Sequence, residues 1–170
     1  QTHLGYMYQI GNGVIRNDKT AVKWYTLAAE QGDAHAQYNL GFMYAEGHGL
    51  PQDYKTALKW YTLAAEQGVA HAQTNLGYMY DEGEGAPQDD KTAMKWYKLA
   101  AQQGNSDANQ RYGELVLQDF VYGSDVRALE DLRTDVETFC QGDFKCAFDK
   151  IWAYLDITGD GSLSLAEIAR

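Results

Sequence analysis

Residues 34–68 read AHAQYNLGFMYAEGHGLPQDYKTALKWYTLAAEQG, and residues 70–104 read AHAQTNLGYMYDEGEGAPQDDKTAMKWYKLAAQQG. The two stretches are near-copies, and self-similarity at a fixed period of this length marks a repeat architecture. Trp24, Trp60 and Trp96 stand 36 residues apart, as do Gly5, Gly41, Gly77 and Gly113. A clipped first copy therefore fills 1–32, full copies fill 33–68 and 69–104, and a half copy fills 105–118. The chain opens on Gln1 in mid-pattern, so native sequence is expected upstream.

Each copy reads as two helices. Ala36, Leu40, Met43, Tyr44 and Gly47 fall on one face of the first, and Ala57, Trp60, Tyr61, Ala64 and Ala65 on one face of the second. Asn17, Asp53 and Asp89 are suited to cap the second helix, because a short side-chain oxygen can accept from the free amides of the first turn. Gly32, Gly68 and Gly104 stand where a helix ends in the left-handed region. The glycines of EGHG and EGEG supply the turn between the two helices, and Pro51 and Pro87 stop either helix from running through it. Gly41 and Gly77 lie inside the first helix, where glycine costs about 1 kcal/mol relative to alanine. A cost that recurs in every copy needs a recurring compensation. Close helix–helix approach supplies one, with Trp60 and Tyr61 filling space beside small Ala and Gly. The Trp, Tyr and Met of the pattern read as core, not as a cofactor box.

The pattern A-x-A-Q-x-x-L-G-x-M-Y-x-x-G-x-G, followed by D-x-x-x-A-x-x-W-Y-x-x-A-A-E-Q-G, resembles the Sel-1-like repeat, a relative of the tetratricopeptide repeat. The resemblance covers 1–118. It implies an all-α fold, a right-handed α/α superhelical solenoid of antiparallel helix pairs, and adaptor or scaffold work through protein–protein contact. Cysteine-rich members of the family carry a disulfide within each repeat, and this chain lacks those cysteines. Hydrolytic activity is claimed for some of them, but no catalytic motif is present here to carry it over.

On a wheel of about 100° per residue, His35, Tyr38, Phe42 and Ala45 point away from the core face of the first helix. Tyr6, Phe42 and Tyr78 then form a ladder that faces away from each pair's own core. The resemblance puts first helices on the concave side, so this ladder, with Tyr38, is a candidate groove for a protein or peptide. Packing against the next repeat is the other reading of the same rings. Asn39 and Asn75 recur one step round the wheel, placed either to bond a peptide backbone or to bond locally. His35 and His71 stack by the repeat, but no carboxylate or cysteine joins them at metal-ligand spacing.

A net charge of −10 argues against nucleic acid or an anionic membrane as partner, and no apolar run is long enough to span a bilayer. The repeat fades after Leu117. From Ser124 or Asp125, the residues Val126, Leu129, Leu132, Val136 and Phe139 recur at helical spacing and predict a capping helix for the stack.

The stretch DITGDGSLSLAE, 156–167, fits the twelve-residue EF-hand loop. Calcium wants six to eight oxygens. Asp156, Thr158 and Asp160 stand at positions 1, 3 and 5, Ser162 offers its carbonyl at 7, Ser164 stands at 9 and Glu167 closes the site at 12. Gly161 supplies the sharp turn and Leu163 the apolar residue at position 8. Phe148, Ile151, Trp152 and Leu155 fit an entering helix. Thr158 departs from the usual Asp, Asn or Ser, and three carboxylates predict moderate affinity. A degenerate partner loop at 119–130 matches only at Asp119, Val126 and Glu130.

Cys140 and Cys146 can close a small disulfide loop or remain buried thiols. A moderate calcium loop and a disulfide both suit a bacterial envelope or secreted setting. The expected function is a protein- or peptide-binding scaffold carrying a calcium site. The alternative is a calcium sensor whose partner binding the metal switches. An enzyme is not expected: no nucleophile elbow, phosphate-binding glycine loop or zinc motif is present.

Overall fold

The structure, a computed structural model, describes residues 1–122. Among them are seven helices and no strand: α1 (Thr2–Ile10), α2 (Asp18–Ala29), α3 (Ala34–Glu46), α4 (Tyr54–Glu66), α5 (Ala70–Glu82), α6 (Asp90–Gln102) and α7 (Ser106–Tyr122). The chain divides into two compact units, Gln1–Tyr112 and Gly113–Arg170, and the first holds the repeat stack. From α1 to α6 each helix packs on the next in sequence. This nearest-neighbour pattern is that of a helical solenoid.

The expected caps form. The Asn17 side chain accepts from the Thr20 amide at 3.0 Å, Asp53 from Lys55 and Thr56 at 3.0 and 3.2 Å, and Asp89 from Thr92 at 3.1 Å. Thr56 and Thr92 also donate their hydroxyls to the second carboxylate oxygen, each at 2.6 Å. These bonds favour the ionised form and hold the Asp53 and Asp89 carboxyls below their usual range. The first helices are capped less uniformly. Asp33 accepts from the Ala36 amide at 2.7 Å and Asn105 from Ala108 at 2.9 Å, whereas Val69 gives α5 no side-chain cap.

The glycine inside each first helix has the expected cause. A Cβ on Gly41 would lie 2.8 and 2.9 Å from two carbons of the Tyr61 ring, and Gly5 and Gly77 face Tyr25 and Tyr97 in the same way. Tyrosine alone takes this place. Trp60 is half-buried against a different cluster, that of α2 and α3, and Trp96 against that of α4 and α5. The buried clusters therefore straddle the repeats. One joins Ala21, Tyr25, Ala28 and Ala29 of α2 to Ala36, Leu40 and Met43 of α3, and the next joins the equivalent residues of α4 and α5. A helix pair cannot bury this apolar face alone, so folding requires a neighbour.

The connecting turn makes a second tie between repeats. Gly47 ends α3 at φ 70°. Gly49, at φ 76°, rests on the preceding repeat, where an added Cβ would lie 2.6 Å from the Asp18 carbonyl carbon. Gly85 meets the Tyr54 carbonyl in the same way. Gly49 and Gly85 are thus required by backbone contact as well as by their dihedrals, whereas Gly13 meets only the Met7 side chain, at 3.6 Å.

The half copy continues as α7 to Tyr122, so the first four positions of the degenerate partner loop at 119–130 are helical. The expected capping helix, Cys140 and Cys146, and the calcium loop with Asp156, Thr158, Asp160, Ser162, Ser164 and Glu167 lie outside the described residues.

Candidate functional site

The first helices carry their rings at one wheel position, and the structure separates them by depth. Tyr6 and Tyr78 are 48% and 46% exposed. Phe42 is half-buried and touches both inter-repeat clusters, with His48 against it edge-on at 5.7 Å between ring centroids. Tyr38 is also half-buried, 5.9 Å from the Tyr61 ring and 6.1 Å from His71. Burial raises the Tyr38 phenol above its ordinary range. The four rings therefore divide. Tyr6 and Tyr78 are half-exposed, while Phe42 and Tyr38 are packed against neighbouring rings.

Asn75 stands close enough to the buried Tyr61 phenol to oppose, without reversing, the upward push that burial exerts on it. The hydroxyls of Tyr25 and Tyr97 are satisfied differently. Tyr25 donates to Gln9 Oε1 at 2.6 Å, and burial pushes it up to about 12. Tyr97 donates to Asp81 Oδ2 at 3.3 Å, and Arg111 closes that group by donating to Asp81 and Glu82 at 3.1 and 3.2 Å. Burial raises the Asp81 carboxyl more than Arg111 and Tyr97 lower it. Asn39 is half-buried, one position from Tyr38.

A glutamine series recurs beside this face, and its role was not evident from the sequence. Gln37 is 4% exposed. It donates to the Ala29 carbonyl of the preceding repeat at 3.2 Å and accepts from Gln67 of its own repeat at 2.8 Å. Gln73 repeats both bonds with Ala65 and Gln103, at 3.1 and 2.8 Å. The signal was the 36-residue recurrence of a glutamine next to a buried alanine. These glutamines satisfy helix-end carbonyls and fix the step from one repeat to the next. Among the described residues no buried side-chain polar atom lacks a partner, no group of three His, Cys, Asp or Glu is placed to hold a metal, and no helix is long and apolar enough to cross a membrane.

The arrangement offers a recurring face of aromatic, amide and carboxylate groups on a rigid stack.

The Sel1 repeat profile matches residues 1–33, 34–69 and 70–105. Comparison with curated proteins gives no match. Among solved structures, the chain is similar to a Sel1 repeat protein from Oxalobacter formigenes, with 38% identity and a TM-score of 0.67 over 81% of this chain and 57% of that one. It is also similar to c5321, a protective antigen present in uropathogenic Escherichia coli strains and displaying an SLR fold. There the identity is 30% and the TM-score 0.73, over 98% of this chain and 35% of that one. Helicobacter pylori cysteine rich protein B shares the fold at 24% identity and a TM-score of 0.55, over 63% of this chain and 83% of that one. The chain thus spans 57% and 35% of the length of the first two. Three consecutive profile matches, on the three helix pairs whose Gly–Tyr contacts and G-x-G turns repeat in register, show that this chain belongs to the Sel1 repeat family.

Proposed function

We propose that the chain is a protein-binding scaffold. A protein or peptide segment docks on the first-helix face, against Tyr6, Tyr38, Phe42 and Tyr78, with Asn39 and Asn75 at its edge, and the loop at 156–167 binds calcium. The observation that carries the docking role is the pair of half-exposed rings, Tyr6 and Tyr78, at equivalent positions of two repeats. Large rings left open on a rigid face bury area on binding at little entropic cost. Family resemblance supports the same role, and the donor series from Asp156 to Glu167 supports the metal. A bacterial envelope or secreted location is the setting in which a moderate calcium loop and a Cys140–Cys146 bond are both useful.

The test is capture of partners from native-host extract, with and without chelator. Replacing Tyr6 and Tyr78 together by Ala should abolish the specific partner while leaving the denaturation midpoint nearly unchanged. Replacing Leu27 and Leu63, exposed on the second helices, should not affect capture. Equal capture by both variants contradicts the docking role. Equal capture with and without calcium leaves a scaffold and excludes a calcium sensor.

A further inference from the structure

Charge separates the two kinds of helix. Residues 34–53 and 70–89, which hold α3, α5 and the turns after them, contain no lysine or arginine, and neither does α1. Among the described residues the lysines stand on the second helices: Lys19 and Lys23, Lys55 and Lys59, and Lys91, Lys95 and Lys98. Carboxylates gather beside the rings instead. Glu46 and Glu82 follow Phe42 and Tyr78 by about one helical turn, the spacing at which side chains on one helix face meet. Glu84 stands in the turn after α5 next to Gly85, where an added Cβ would lie 2.5 Å from the Tyr54 carbonyl oxygen, so this turn rests on Tyr54. The Tyr54 and Tyr78 phenols are each raised first by burial and then by the Glu84 charge, with Glu46 adding to the effect on Tyr54 and Glu82 and Asp81 to that on Tyr78, where Arg111 opposes them. Tyr54, Tyr78, Glu46, Glu82 and Glu84 therefore form one patch, with Arg111 at its α7 border on Asp81 and Glu82.

We infer that the segment docking on this face is cationic: an extended lysine- or arginine-bearing peptide of a partner protein, its charged heads set over the Tyr78 ring and between Glu46 and Glu84. The inference rests on the docking role proposed above and names the chemistry of its occupant. An open aromatic face attracts a cation through the ring quadrupole. A carboxylate beside the ring accepts from the same ammonium or guanidinium. An acidic segment would meet Glu46, Glu82 and Glu84 with like charge. The lysines of the second helices stand on different elements, and Arg111, the cation at the patch border, is held by Asp81 and Glu82 at 3.1 and 3.2 Å.

The probes are three synthetic peptides of equal length and leucine spacing, bearing lysine, glutamine or glutamate at the remaining positions. They are titrated into the whole chain with binding followed by isothermal calorimetry and by backbone amide shifts. The lysine peptide should bind about tenfold more tightly than the glutamine peptide, with shifts at Tyr6, Phe42 and Tyr78. Glu46→Gln with Glu84→Gln should weaken it about fivefold, and Glu30→Gln with Glu66→Gln, which removes equal charge from the second helices, by less than about twofold. If the glutamine peptide binds this face as tightly as the lysine peptide, the docking face stands and its cationic preference is overturned. If the lysine peptide shifts both faces alike, or both double variants weaken it equally, the attraction is only net charge and the inference fails. If no peptide shifts the first helices, the docking role fails with it.

Discussion

Gly41→Ala should destabilise the protein even though alanine is the better helix former. In an exposed helix the change would stabilise by about 1 kcal/mol. Here the new methyl would stand 2.8, 2.9 and 3.2 Å from three carbons of the Tyr61 ring. Comfortable carbon–carbon contact begins near 3.5 Å, so ring and helix must part by roughly 0.7 Å. The ring has little room to yield. Tyr61 is 2% exposed, sits among Ala57, Ala64 and Ala65, and has the Tyr38 ring 5.9 Å from its own. Overpacking of this kind costs about 1–3 kcal/mol. Against the helix-propensity gain of about 1 kcal/mol, the net expectation is a loss of up to about 2 kcal/mol, the same at Gly5 and Gly77. At Gly113, where an added Cβ meets no described atom within 4 Å, the same substitution should be neutral or stabilising. Urea denaturation followed by tryptophan fluorescence measures both. A gain of about 1 kcal/mol for Gly41→Ala, the value for an exposed helix, would refute the close-approach account.

The Asp53 and Asp89 caps should make stability fall in acid. Their folded-state pKa values lie below the unfolded ones, so the contribution is complete above the ordinary carboxylate range, about pH 4, and disappears as pH drops through the lowered folded values. Asp53→Ala should lower the urea midpoint at pH 7 and flatten that dependence, which paired urea titrations at neutral and acid pH would show. Val69→Asp, which supplies the cap α5 lacks, should change stability by less than about 1 kcal/mol, because the gain is offset by the packing that half-buried Val69 gives up. Leu40→Ala empties a site 1% exposed between repeats and should cost about 2–5 kcal/mol in the same titration. If the loop at 156–167 binds calcium, a free concentration about a hundredfold over Kd should raise stability by about 2.7 kcal/mol. Glu167→Gln should weaken the calorimetric binding, and absence of heat at millimolar calcium would remove the site.

The helix pairs were legible because their signals are local. Asp53 can be recognised as a cap from its own neighbourhood, and a glycine penalty repeated at 36-residue intervals announces a close contact before its partner is known. Which residue makes the contact was less legible. Trp60 and Tyr61 are adjacent, and only the phase of α4 against its neighbours sends Tyr61 to Gly41 and Trp60 to the cluster of α2 and α3. The second turn glycine looked like a bend, and its contact with the preceding helix start depends on how far one repeat is displaced from the last. Gln37 was read as part of a motif, with no role, because a buried amide bridging two repeats is a property of the stack. The candidate face shows the same limit. Phe42 and Tyr78 occupy one wheel position, yet His48 covers the first while Glu84, its counterpart 36 residues on, leaves the second half-exposed. Wheel geometry gives direction, whereas exposure depends on neighbours that differ from copy to copy.

The docking role is tested most directly by placing a photo-crosslinking phenylalanine analogue at one position at a time in living native-host cells. Positions 6 and 78 sample the proposed face, and positions 27 and 63 sample the exposed leucines of the second helices. The account predicts one discrete protein adduct shared by positions 6 and 78 and absent from 27 and 63. Adducts confined to 27 and 63, or no adduct at any position, would contradict it.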